Sequence, residues 1–128
     1  MSNKEFQPIL WIVRDDSFAD TSIVMPEDGW LDTQGYKNLH LRTHIMFMST
    51  GTHYLYTETC DVRDGTWERI SRYSSSSDFG TPADEFFTSD RPKSEFQRLR
   101  RFIRWRWTDF ASSTSYQLCF RMQATLKR

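Results

Sequence analysis

The sequence predicts an all-β protein, a two-sheet antiparallel sandwich of the jelly-roll kind with about eight strands. Residues 115–126 alternate apolar even positions with mostly polar odd ones, the period of a half-buried strand. Asp64-Gly65 stands between two β-prone runs, which is a strong hairpin signal because glycine tolerates positive φ. No window shows convincing helical periodicity. Short strands with one long connection favour a sandwich with Greek-key links over a closed meander barrel.

The N-terminal third contains short strands followed by a long one. Residues 9–13 and 21–25 are short β-like segments, and residues 29–32 lead into a long strand predicted from Tyr36 to Met48. Alternation predicts that its inner face carries Leu39, Leu41, Ile45 and Phe47. The outer face then carries His40, Arg42, His44, Met46 and Met48. Because the later half is apolar on both faces, we expect a loop or another subunit to cover it.

The second half supplies the hairpin, a long connection and two final strands. Strands are predicted at His53–Cys60 and Thr66–Tyr73, and residues 74–94 read as a long loop with a short strand around Phe86-Phe87. A penultimate strand runs from Leu99 to Phe110. Its inward residues are predicted to be Ile103, Trp105 and Trp107, and its outward residues Phe102, Arg104 and Arg106. The last strand is predicted to bury its even positions.

Length and charge bound the possible functions. The 128 residues match one domain, predicted to span 1–128, and the formal net charge is zero. No overall field therefore attracts nucleic acid or an anionic membrane, and we expect neither as a partner. The N-terminus lacks a signal-peptide pattern, so synthesis and a soluble existence in the cytoplasm are expected. Cys60 and Cys119 are interpreted as packing residues.

No constellation of residues predicts an active site. His40 and His44 lie roughly 13 Å apart along one strand, too far to share a metal unaided, and we interpret all three histidines, His53 included, as surface residues. The acids are scattered through loops without an EF-hand pattern. No serine occupies a nucleophile elbow, and neither cysteine has a recognisable histidine partner. The sequence predicts a non-enzyme with no catalytic residue, metal or cofactor.

The arginine-rich strand and the scattered aromatic residues allow two binding hypotheses. Arg98, Arg100, Arg101, Arg104 and Arg106 fall within nine residues, a composition seen in single-strand binders. We favour the alternative that these arginines pair with acids such as Glu58 or Glu68 on a sheet face. Exposed aromatic rings also stack on sugars. The candidate stacking residues for a glycan are Trp30, Tyr54 and Tyr56.

The order of motifs from residue 36 to 126 resembles small accessory virion proteins of tailed bacteriophages. It shares with them the size, the Asp64-Gly65-Thr66-Trp67 turn, the Arg-rich penultimate strand and a terminal strand that contains Phe. That resemblance implies a protein that decorates a capsid or joins tail parts, with a viral shell or tail protein as partner. It leaves the first 35 residues unassigned.

A looser similarity is to discoidin-like jelly rolls, in which a Ser-x-Asp-Gly-x-x-Trp turn precedes an Arg-Tyr-Ile-Arg-like strand. Here Trp67 follows Gly65 after one residue, and the later strand reads Arg101-Phe102-Ile103-Arg104. The similarity implies a noncatalytic β-sandwich that binds a ligand.

Taken together, these observations predict a noncatalytic structural protein that acts by assembly with itself or with a shell protein, as a virion component. Residues 1–13 are a possible N-terminal arm that packs on a neighbouring subunit, with an ordinary first strand as the alternative. The candidate interface residues are Phe6, Ile9, Trp11, Met46, Met48, Phe102, Arg104 and Arg106. A carbohydrate-binding sandwich is the alternative function.

Overall fold

The computed structural model describes residues 4–49, 51–74, 82–88, 99–110 and 115–128. Within these ranges the chain forms nine strands and one short 3₁₀ helix at Glu27–Gly29. The strands are β1 (Lys4–Asp15), β2 (Thr21–Val24), β3 (Leu31–Asp32), β4 (Asn38–Met48), β5 (His53–Cys60), β6 (Glu68–Ser74), β7 (Ala83–Thr88), β8 (Phe102–Asp109) and β9 (Tyr116–Lys127).

These strands form two antiparallel sheets that pack face to face. The first sheet has the order β1-β9-β4-β7, and the second has the order β2-β8-β5-β6, with β3 also paired to β8. The chain changes sheet at most of its connections, as jelly-roll sandwiches do. The predicted all-β two-sheet sandwich is confirmed.

The core lies between the sheets and is built from alternating inward side chains. In β9 the even positions from Tyr116 to Leu126 are buried or half-buried, while the odd positions face outward. Trp105 of β8 makes edge-to-face contacts with Trp11 and Phe120 of the first sheet, at ring-centroid distances of 5.3 and 5.5 Å. Aromatic pairs of this geometry add to the free energy of burial, so β8 and β9 hold the two sheets together.

A β-bulge in β4 corrects one sequence prediction. The pairing of β4 with β9 shifts register between Ile45 and Phe47, because Met46 is inserted without a partner. The extra residue reverses the alternation beyond it. Phe47, predicted to be buried, is 47% exposed, and Met48, predicted to face outward, packs against the core.

The hairpin and the long connection match their predictions where the structure describes them. β5 and β6 pair antiparallel around the Asp64-Gly65 turn, and the short strand predicted at Phe86-Phe87 is β7. Gly65 is not among the glycines with positive φ. Instead, a Cβ there would lie 2.7 Å from both Cys60 Sγ and Val62 Cγ2, so close packing requires the glycine. The rest of the predicted loop, 75–81 and 89–94, lies outside the described residues.

We predict that Gly51→Ala destabilises the fold more than Gly35→Ala. Both glycines have positive φ, but a Cβ at Gly51 would lie 2.6 Å from Tyr116 Cε1, whereas a Cβ at Gly35 meets no described heavy atom within 4 Å. Backbone strain alone should lower the free energy of unfolding by about 1 kcal/mol in Gly35→Ala. The added overlap should bring the loss to about 3 kcal/mol in Gly51→Ala. Urea unfolding measures both, and equal losses would contradict the packing argument.

Candidate interaction surfaces

The outer face of the second sheet carries an arginine–aromatic cluster around one buried carboxylate. Glu58 of β5 is 4% exposed and accepts hydrogen bonds from Arg104 Nε at 3.1 Å and Arg106 Nε at 2.8 Å. Antiparallel pairing places these residues together, because Glu58 lies opposite Arg104 and Tyr56 lies opposite Arg106. The prediction that these arginines pair with acids is confirmed for Glu58, and Arg100 pairs with Glu68.

The same arginines cover the aromatic rings that were candidates for sugar stacking. The guanidinium of Arg106 lies 4.3 Å from the ring centroid of Tyr56, and that of Arg72 lies 5.3 Å from Tyr54. Trp30 has the guanidiniums of Arg63 and Arg104 within 6 Å of its ring, at 5.8 and 5.5 Å. Cation–π contacts of this kind occupy ring faces on which a pyranose would stack.

A second surface lies on the outer face of the first sheet. Ile12, Cys119 and Phe47 are side by side across β1, β9 and β4, with Leu10 and Met46 next to them. We call these five residues the apolar row. Ile12 is 64% exposed, Leu10 48% and Met46 39%. Removing apolar side chains from water lowers the free energy, so a partner that covers this row would gain binding free energy from it.

β1 also forms one edge of the first sheet. It pairs with β9 alone among the described strands, so its other edge leaves backbone groups free to bind another strand. Pro8 lies within the register shift between Phe6 and Ile9, and proline removes a backbone donor. The unprotected part of the edge therefore begins at Ile9. In the structure residues 4–15 form an ordinary first strand, and the contact of this segment with a neighbouring subunit stays a prediction.

The predicted interface residues divide between surface and core. Ile9 and Met46 keep exposed side chains, whereas those of Arg104 and Arg106 face outward but are only 14% and 28% exposed. Trp11 and Met48 pack against one core cluster and Phe6 against the other. Phe102 is only 4% exposed, because the guanidiniums of Arg63 and Arg101 lie over its ring. Leu10 and Ile12 belong to the predicted N-terminal arm but were not among the predicted interface residues. The register shift at Pro8 is not visible in the sequence, so the outward-facing residues of β1 could not be identified from it.

One end of the sandwich interior is polar. The prediction of a surface position for His53 is wrong, because this side chain is 0% exposed. Trp107 Nε1 donates to His53 Nδ1 at 3.1 Å, which leaves Nε2 to carry the proton and to donate to the Ser49 carbonyl at 2.9 Å. Burial lowers the pKa of His53 and keeps the ring neutral. His53 is therefore a hydrogen-bonding bridge within the core.

Two buried carboxyls, Asp15 of β1 and Asp109 of β8, meet at this same end. Burial raises the pKa of Asp109 to about 7, and the hydrogen bond and charge of Asp15 add to the rise. Burial acts to raise the pKa of Asp15 as well, but hydrogen bonds from Ser17, Asp109 and Thr21 outweigh it and hold that pKa below its ordinary value. The pair therefore holds one proton below about pH 7, mainly on Asp109, and releases it as the pH rises further.

The described residues contain neither a metal-ligating cluster nor a membrane-spanning helix. No group of three or more His, Cys, Asp or Glu residues with metal-binding geometry occurs in the described part of the chain. Within the same residues, no helix has the length and apolar character needed to cross a membrane. Cys60 is buried, Cys119 is half-exposed, and both are free thiols.

We predict that Glu58→Gln lowers stability far more than Glu27→Gln. The first change leaves Arg104 and Arg106 without a carboxylate in a largely buried setting, and should cost about 2 kcal/mol of unfolding free energy. Glu27 pairs with Arg63 at 3.1 Å with both side chains at least half exposed, so its loss should cost less than about 0.5 kcal/mol. Chemical denaturation compares the two, and a similar small loss in both would show that the Glu58 pair adds nothing.

The buried carboxyl pair predicts a pH dependence of stability. The folded chain holds the Asp109 proton up to about pH 7, whereas the carboxyl of the unfolded chain releases it near its ordinary pKa of 3.8. Protonation of Asp109 therefore makes its full contribution to the stability of the folded state at pH 3. That contribution is lost as the pH rises through about 7. Asp109→Asn stays neutral throughout. The variant should therefore gain stability relative to wild type between pH 4 and 8, by on the order of 1–3 kcal/mol.

The measurement is urea unfolding across that pH range, with Asp64→Asn at an exposed turn position as the control. A wild-type minus Asp109→Asn difference that does not change with pH would refute the shared proton. Neutral His53 acts in the opposite sense below its own ordinary pKa, but it is common to both proteins and cancels in the difference.

Comparison with known proteins shows no family for this chain. No protein-family model matches the sequence, and no curated protein matches it. Among solved structures, a chain from the structure of infectious bursal disease virus, Gx strain, is similar with 13% identity and a TM-score of 0.41. The match covers 98% of this chain and 31% of that chain, so the present chain spans about a third of the viral chain's length. A likeness of this size defines no function.

Proposed function

We propose that this chain is a noncatalytic structural protein that acts by assembly, as an accessory component of a bacteriophage virion. The observation that carries the proposal is the apolar row beside the unprotected edge of β1. Exposed apolar groups and a free strand edge in one place are the properties of a surface that is covered in an assembly. The motif order of residues 36–126, similar to that of accessory virion proteins, supplies the virion context.

The buried ionisable side chains of Asp15, Asp109 and His53 support a noncatalytic role. Asp15, Asp109 and His53 have exposed fractions of 7%, 3% and 0%. A general acid or base must come within hydrogen-bond reach of its substrate, and these groups are turned into the interior. His53 also bridges Trp107 of β8 and the Ser49 carbonyl that follows β4, which is a structural role.

The partner is a second copy, a shell or tail protein, or both. A strand of another chain that pairs with the edge of β1 extends the first sheet, and its side chains then cover Leu10 and Ile12. Burying these two side chains should contribute roughly 1.5–3 kcal/mol each. A stable interface also needs roughly 1,000 Å² of buried area, so the contact must extend along the apolar row to Phe47.

The carbohydrate-binding alternative receives less support from the geometry. Its candidate residues Trp30, Tyr54 and Tyr56 are half-buried and have guanidiniums over their rings. A sugar would have to displace those cations or bind at ring edges. We therefore do not advance it as the primary function.

We predict that Ile12→Lys abolishes self-assembly and Val62→Lys does not. The new ammonium would have to be desolvated in the interface, whereas Val62, 54% exposed in the β5–β6 turn, lies away from the apolar row. Light scattering over a concentration series measures molar mass, for which one chain is 15.3 kDa. A discrete oligomer in wild type and Val62→Lys, with a monomer in Ile12→Lys, is expected.

A wild-type chain that stays monomeric at every concentration would refute self-assembly. The same purified chain is then mixed with a panel of immobilised glycans. Saturable glycan binding that Ile12→Lys retains and Tyr56→Ala loses would replace the assembly proposal by the carbohydrate alternative.

A further inference from the structure

A concave site on the outer face of the first sheet gathers cationic and hydrogen-bonding side chains. It encloses about 250 Å³ and is lined by Arg42, His44, Pro82, Arg121 and Gln123. In the pairing of β4 with β9, His44 lies directly opposite Arg121 and Arg42 lies opposite Gln123. Directly opposite residues have Cβ atoms about 5 Å apart, so all four polar side chains reach one point above the sheet.

The described residues do not balance the positive charges at this site. Asp84 is the one acid that the described residues bring to it, at 3.6 Å from Arg42 Nε, and it is shared with His40 Nε2 at 3.2 Å. Arg121 and His44 form no ion pair within the described part of the chain. An anion bound beside Arg121 would supply the counter-charge that the described residues do not supply.

The donors match a tetrahedral oxyanion. Each guanidinium offers a planar fork of N–H groups, His44 adds a ring donor and Gln123 adds an amide donor. A planar carboxylate would use one fork only, whereas a phosphate presents enough oxygens for all four. The volume is several times that of one water molecule, roughly 30 Å³, and admits a phosphate group.

We propose that Arg42, His44, Arg121 and Gln123 form a binding site for a phosphate group, either free phosphate or a phosphomonoester. The site differs from the apolar row in its chemistry, and the two are neighbours, since Arg121 lies opposite Leu10 in the pairing of β1 with β9.

Thermal unfolding and calorimetric titration with sodium phosphate test the proposal, with sodium chloride at equal ionic strength as the reference. The expected result is a rise in Tm specific to phosphate, with a millimolar Kd. Arg121→Gln and Arg42→Gln should each weaken binding about tenfold, the effect of removing one charge-assisted hydrogen bond. Arg14→Gln, which changes an exposed arginine of the same face that pairs with Asp16, should bind as wild type does.

His44→Gln should weaken phosphate binding less than either arginine change, because glutamine keeps a hydrogen-bond donor at that position. Glycerol phosphate distinguishes the source of the ligand: tighter binding than phosphate indicates a monoester, and equal binding indicates the free anion. Far-UV circular dichroism shows that each variant folds. A Tm that responds equally to phosphate and chloride overturns the proposal, and so does phosphate binding that Arg121→Gln and Arg42→Gln both retain in full.

Discussion

The packing of the β8 tryptophans against the first sheet is the contact on which the rest of this structure depends. Trp105 and Trp107 are 2% and 1% exposed, and β8 pairs with three other strands of its own sheet. Because successive residues of a strand face opposite sides, burying these two rings forces Arg104 and Arg106 outward. A shift of β8 by one residue would bury both arginines and expose both rings. The ion pairs to Glu58 are thus a consequence of how the core packs.

The tryptophans also explain the polar groups inside the sandwich. A buried indole N–H needs an acceptor, and for Trp107 that acceptor is His53. The ring then has a donor of its own to satisfy, and the Ser49 carbonyl at the end of β4 accepts it. One buried aromatic residue therefore fixes a histidine tautomer and joins the second sheet to the first. Trp105 Nε1, by contrast, is buried and finds no acceptor in the described residues, which costs part of what burying the ring contributes.

How far the sequence predicts this fold depends on whether alternation continues without interruption. Even positions of β9 are inward throughout, so its period of two predicted every buried residue. In β4 the alternation holds as far as Ile45 and reverses after the bulge. Met46, Phe47 and Met48 are all apolar, so the sequence pattern does not reveal where the bulge lies. The error at His53 has another cause. His53 is two residues from Leu55 in β5 and therefore lies on the same, inward face. Histidine is more often half exposed than buried, and the hydrogen bond from the Trp107 N–H makes the burial of His53 favourable.

The surfaces were less predictable than the core because they depend on which strands become neighbours. The Glu58 ion pairs could be anticipated, since outward arginines on one strand of a chain with zero net charge favour acids on a neighbouring strand. Ile12, Cys119 and Phe47 come from three strands far apart in sequence, and only the β1-β9-β4 order makes them one row. The site of Arg42, His44 and Arg121 also depends on that order. Sequence reasoning noted each strand's outward residues without a way to combine them.

The two outer faces differ in how much free energy a partner would gain from them. On the second sheet, the carboxylate of Glu58 already has two cations, and the guanidiniums already lie over aromatic rings. A partner that binds there must remove water from charges that gain no new counter-charge, which costs free energy. The first sheet also carries exposed arginines, Arg42 and Arg121, but its apolar row lies beside a free strand edge, and covering Leu10, Ile12 and Phe47 releases water from apolar surface. The chain has zero net charge, so long-range attraction does not choose between the faces. The choice falls to desolvation, which favours contact through the first sheet.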